Sequence, residues 1–115
     1  MSDELRPGRR MEWSRTFSES EIRAFAELSG DKGAHHLVPD DKGRLLAHGL
    51  LTATLPTKLG GDLNYIAGTM NFEFLRPVYA GEALVCLGLV EEVVPEPKRL
   101  RVKFSFVVRT PGARR

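Results

Sequence analysis

A chain of 115 residues has room for one domain with a single core and not for two. Hydrophobic residues at 42% and charged residues at 28% match an ordinary soluble globular domain and exclude wholesale disorder. No apolar run approaches the roughly 20 residues that cross a bilayer, and the start, MSDELRPGRR, lacks the apolar stretch of a secretion signal, so a cytoplasmic protein with no membrane partner is expected.

Seventeen Lys and Arg against fifteen Asp and Glu give a net +2, but Arg6, Arg9, Arg10, Arg114 and Arg115 stand at the two ends. Residues 11–110 hold twelve basic and thirteen acidic side chains, so the tails alone could build a nucleic-acid surface, and none is expected. The single cysteine, Cys86, excludes an internal disulfide and an all-cysteine metal site; among Leu84, Val85 and Leu87 it reads as a buried strand thiol.

Residues 1–10 carry charge, Pro7 and Gly8 without periodicity and read as a loose arm before a single domain over 11–115. A short strand over 11–17 is followed by a helix-start signature: Phe17, then Ser18 as N-cap, Glu21 at the third helical position and Ile22 at the fourth. Ile22, Phe25, Ala26 and Leu28 supply an apolar face and Gly30 a left-handed stop, which predicts a helix over about 19–29. Residues 31–46 are polar and read as a long loop with a short extended piece at 44–47. From His48 to Leu59 apolar residues point in nearly every direction, as in a buried helix ended by Gly60 and Gly61, with a kink or early end at Pro56.

The period then changes to two, predicting three strands: one through Met70, Phe72 and Phe74, one over 83–94, one through Leu100, Val102, Phe104, Phe106 and Val108. Turns at 77–81 and 95–98 suit an antiparallel meander. Helices packed on one curved sheet make the class α+β.

Two constellations could carry chemistry. Asp31 and His36 lie five residues apart just past the first helix, where a turning loop can aim both into one cleft; a neutral imidazole takes a proton from water near pH 7 while a carboxylate orients that water. The same residues also fit a plain turn with His36 on the surface. Ala47-His48-Gly49 opens the buried helix, where unpaired N–H groups can hold an oxyanion and glycine lets a carbonyl come close; a tight helix entrance is the plainer reading. Metal binding is not expected, because neighbouring His35 and His36 cannot readily share an ion and no short metal-ligand spacing occurs. A phosphate-binding glycine loop and a hydrolase serine motif are also missing.

The order of Phe25-Ala26-Glu27-Leu28-Ser29-Gly30-Asp31, His36, Ala47-His48-Gly49-Leu50-Leu51 and Phe74-Leu75-Arg76-Pro77-Val78-Tyr79-Ala80-Gly81-Glu82 resembles the MaoC-like, R-specific enoyl-CoA hydratases, over residues 16–94. The resemblance implies the hotdog fold, an antiparallel sheet wrapped around a central helix. It also implies hydration of a trans-2-enoyl thioester to the (R)-3-hydroxyacyl thioester. Asp31 and His36 would match the pair that activates water, and Gly49 the N–H that polarises the thioester carbonyl, with Gly33, His48 and Leu50 around the substrate. No cofactor is implied, coenzyme A being part of the substrate, and the partners implied are an acyl-CoA or acyl-carrier thioester and a second copy in a homodimer. Arg9 and Arg10 are among the bases that could meet coenzyme A phosphates.

The sequence departs from the family pattern in three places: Gly33 and Ala34 stand where Asn-Pro is usual, the stretch from His36 to Ala47 is shorter, and the last family strand has no counterpart before Arg115. The competing functions are a thioesterase on the same fold and a non-catalytic acyl-thioester-binding or dimerisation module.

Overall fold

The computed structural model describes residues 5–111. Strand β1 (Arg10–Thr16) leads through Phe17 into helix α1 (Glu19–Ser29). The capping box forms as the sequence requires: the Ser18 hydroxyl accepts the Glu21 N–H at 3.1 Å, and the Glu21 carboxylate accepts the Ser18 N–H at 2.9 Å. That backbone N–H, with Arg15 beside it, holds the Glu21 carboxyl below its ordinary range. Gly30 ends the helix at φ 83°, returning its N–H to Ala26. Ile22 and Ala26 are buried, whereas Leu28 faces outward, away from the apolar face expected of it.

The expected central helix is two pieces, α2 (Gly49–Thr52) and α3 (Thr54–Asp62), joined at Ala53. Pro56 lacks the N–H that would bond Thr52, so the break falls one turn before the proline and Pro56 itself sits in the first turn of α3, where no N–H is needed. Gly60 and Gly61 do not stop the helix, which runs on to Asp62. Only one face is buried, through Leu51, Leu55 and Leu59; Leu50, Thr57 and Lys58 are exposed.

Strands β2 (Ala83–Glu96) and β3 (Arg99–Arg109) complete a sheet of order β1-β2-β3, antiparallel throughout. Their turn is tighter than expected: Pro95 pairs with Leu100 inside the hairpin, leaving two residues, Pro97 and Lys98. A bulge between Val90 and Glu92 bends β2 at its middle. On the inner face of β2, Leu84, Cys86, Gly88 and Val90 alternate with half-buried neighbours and meet Phe17, Ile22, Leu45, Leu55 and Leu59 in the core. Burial pushes the Cys86 thiol up to about 11. At Gly88 a Cβ would stand 2.8 Å from the Phe106 ring, so glycine there admits that ring onto the sheet.

Two further expectations change. Ordered pairing starts before Met11, since Gly8 donates to the Val90 carbonyl at 2.8 Å and Val90 to that of Arg9 at 2.9 Å; residues 1–4 of the expected arm, and Arg114 and Arg115, lie outside the described residues. The strand through Met70, Phe72 and Phe74 does not form, and all three side chains are exposed. Alternation alone makes no strand without a neighbour. Here the free edge of β3 stands across an open groove of about 820 Å³, with Ile66, Met70 and Phe72 on one bank and Val102, Phe104 and Phe106 on the other.

Candidate active site

Past Gly30 the loop is wound by its own polar groups. The Ser29 hydroxyl accepts the Asp31 N–H at 3.0 Å, Asp31 Oδ1 accepts the Gly33 N–H at 3.2 Å, and the Gly33 carbonyl accepts the His36 N–H at 2.9 Å. A single 3₁₀ turn, Ala34–His36, then drives the His36 ring inward until it is 5% exposed. The expected extended piece closes the far side: Leu46 bridges to Tyr79, Ala47 donates to Val78 and Ala80 to Leu45. Asp40 pins the intervening loop by accepting the Lys42 and Arg44 N–H groups, and Arg44 lies over the Tyr79 ring at 4.1 Å.

His36 Nδ1 lies 2.7 Å from the Leu46 carbonyl. A carbonyl only accepts, so the ring proton belongs on Nδ1 and the lone pair on Nε2. That lone pair faces Asp31 Oδ2 at 3.7 Å, too far for a direct hydrogen bond and close enough for one water to bridge both. The carboxylate is more than half exposed, whereas the imidazole is buried. The pair therefore sets a sheltered imidazole lone pair beside a carboxylate that reaches solvent.

His48 lies beneath this pair. Its ring stacks on that of His36, centroids 3.6 Å apart and planes within 16°, and its Nε2 is 3.0 Å from the Asp31 carbonyl. Gly49 and Leu50 follow as the first residues of α2, where N–H groups have no partner within the helix. Phe74 covers Gly49: a Cβ there would meet its ring at 3.0 Å, so the glycine makes room for an aromatic wall as well as for any ligand.

These groups share a cleft of about 460 Å³, a size suited to a small acyl group. Asp31, His36, His48, Gly49 and Leu50 line it; Gly33 does not, and is tied to Asp31 by its N–H and to His36 by its carbonyl. Sequence reasoning passed over Phe25, Phe74 and Arg76 in the lining, of which Phe74 and Arg76 sit in the Phe-Leu-Arg-Pro-Val motif. Arg76 has no ion-pair partner among the described residues.

Donor atoms of Asp31, His36 and His48 all fall within 4.8 Å of one another, the spacing of a metal centre. Two nearly parallel stacked imidazoles cannot both aim in-plane lone pairs at one ion, and His48 Nε2 already spends its proton on Asp31, so the donor set fits an ion badly.

No family model matches the chain. It is similar to the curated 3-hydroxybutyryl-CoA dehydratase of Methylorubrum extorquens, 35% identical over 96 residues covering 74% of this chain; the chain spans 60% of that protein's length. Among solved structures, the (R)-hydratase from A. caviae involved in PHA biosynthesis matches with a TM-score of 0.74 at 26% identity, covering 94% of this chain and 87% of that one. A MaoC-like dehydratase from Rhodospirillum rubrum has the same fold, with a TM-score of 0.76 at 21% identity, covering 95% of this chain and 84% of that one.

Proposed function

Because the chain belongs to the MaoC-like hotdog family, we propose that it adds water to, or removes it from, a 2-enoyl thioester of coenzyme A or an acyl carrier, giving the (R)-3-hydroxyacyl thioester. The observation that carries this reading is the bare Nε2 of His36 facing the Asp31 carboxylate at 3.7 Å, in the cleft that also holds the first amides of α2.

Conjugation to a thioester carbonyl makes the β-carbon electrophilic. An N–H at the start of α2, Gly49 first, would draw charge onto that carbonyl oxygen. A water held between Asp31 and His36 would give its proton to His36 Nε2 while its oxygen bonds to the β-carbon. The α-carbon, briefly an enolate, then takes a proton from the pair, and a neutral hydroxyacyl thioester leaves. Proton transfer by a placed side chain is worth about 10² to 10⁴ in rate, and one oxyanion donor about 10² to 10³. Arg76 at the mouth offers a cation to the phosphates of the carrier.

The same reading includes a homodimer acting in the cytoplasm. Exposed Leu50, Phe74 and Leu75 beside the cleft support self-association, and no helix among the described residues is long and apolar enough to cross a membrane. Light scattering during gel filtration tests the dimer, with a mass of one chain refuting it.

The decisive assay mixes the protein with trans-2-butenoyl-CoA and follows the conjugated absorbance and free thiol together. Loss of absorbance without thiol, abolished in His36→Ala, is the expected result. Thiol release would make the protein a thioesterase, and binding with neither signal a non-catalytic module.

A further inference from the structure

In the cleft His48 touches the His36 ring, the Phe25 ring and the Asp31 main chain, yet the reaction above gives its side chain no task. The ring is 2% exposed, face to face with His36 and met edge-on by Phe25 at 4.8 Å. Its Nε2 sits 3.0 Å from the Asp31 carbonyl, which can only accept, so the proton lies on Nε2 and the lone pair on Nδ1. That Nδ1 is buried without a hydrogen-bond partner. The same residue is the N-cap of α2, its carbonyl accepting the Leu51 and Thr52 N–H groups at 3.1 Å, immediately before Gly49.

An orphaned buried nitrogen is a cost that packing does not ask for, since a phenyl ring would stack on His36 without stranding a lone pair. What imidazole adds over phenyl is one donor, directed at the backbone of Asp31. We propose that His48 is a positioning residue for the proposed hydration: its Nε2–H anchors the Asp31 main chain while its face sets the plane of the His36 ring, so that carboxylate and base keep their separation. It reaches no reacting atom. Its effect passes through Asp31 and His36, and a misplacement of about 1 Å at such a pair can cost 10²-fold in rate.

Two substitutions split the contributions. His48→Phe keeps the stack and removes both the donor and the orphan; His48→Gln keeps an N–H at similar reach and removes the stack. Each is compared with wild type by kcat and KM on trans-2-butenoyl-CoA, by thermal melting, by ¹⁵N NMR of the histidine rings and by amide exchange over 31–33. Expected are the Nε2–H form of His48 in the wild type, and His48→Phe melting at or above the wild-type temperature with faster amide exchange. Its kcat should fall about 10- to 100-fold at a KM changed by less than about threefold, with His48→Gln regaining part of that loss. Wild-type kcat in His48→Phe, a loss of kcat that merely follows a lower melting temperature, failure of His48→Phe to fold, or the Nδ1–H form would each overturn the assignment. Should the wild type hydrate nothing, the functional reading falls separately, and ring NMR with amide exchange still decides: slower or unchanged exchange in His48→Phe refutes the anchor.

Discussion

Replacing Asp31 by Asn separates the chemistry of the carboxylate from its structural work. Oδ1 accepts the Gly33 N–H at 3.2 Å, a bond the asparagine oxygen can make equally, so the turn that carries His36 survives. The other position changes from an oxygen anion to an amide NH₂, placed 3.7 Å from His36 Nε2. A donor then confronts the lone pair that should receive the proton of water. Loss of that acid/base function predicts a fall in kcat of about 10² to 10⁴, equivalent to ~2.7 to 5.5 kcal/mol of barrier. Because the side chain is 58% exposed, stability should change by less than ~0.5 kcal/mol. The assay is the initial rate of loss of conjugated thioester absorbance at saturating trans-2-butenoyl-CoA, with a thermal melt on the same preparation. A folded Asp31→Asn protein working within about threefold of the wild-type rate would show that the carboxylate takes no part.

Gly88→Ala should destabilise by ~1 to 3 kcal/mol, because its Cβ would lie 2.8 Å from Phe106 and 3.2 Å from Met11; a lower melting temperature that Phe106→Leu partly restores is expected, and an unchanged one refutes the close packing. Cys86 should resist thiol reagents at pH 8 until the protein unfolds, and rapid native labelling would contradict its burial. Since its folded value of about 11 exceeds the ordinary 9.0, stability present below pH 9 is lost as pH rises toward 11, an alkaline loss that Cys86→Ala should lack. Glu21 behaves oppositely: its folded value is lowered, so its contribution is complete above pH 4.5 and disappears as pH falls through that lower value, and Glu21→Gln should flatten the acid limb of melting temperature against pH.

What could be read from the sequence was the part decided by neighbours in the chain. Ser18, Glu21 and Gly30 fixed α1 to the residue, and the burial of Cys86 in β2 followed from its apolar neighbours. Pro56 was rightly seen to disturb the central helix, although the disturbance appears at the carbonyl it leaves unbonded. The segment holding Phe72 was misread because a strand is a relation between two backbones, and its sequence carries only half of that relation. Within the site, the approach of Asp31 to His36 was foreseeable from an Asx turn and a spacing of five. The Leu46 carbonyl that fixes the His36 proton was not, since any residue offers a carbonyl, and it is the bond from Leu46 N–H to the His35 carbonyl together with the bridge to Tyr79 that brings this one near. Nor was the burial of His48, whose environment depends on Phe25 and His36 arriving from other segments.

The outer edge of β3 has a bearing on how the protein must be handled in solution. Among the described residues no strand neighbours the eleven residues of main chain on that side, and an unprotected edge of that length invites any extended peptide, including a misfolded sibling, to attach and propagate. Arg99, Arg101, Lys103 and Arg109 project from the outward face of that same strand, and the one carboxylate of Glu96, shared by Arg99 and Arg101, leaves the row net positive. Repulsion between such rows would discourage head-on association of two copies and would weaken as added salt screens it, so turbidity on storage should rise with ionic strength.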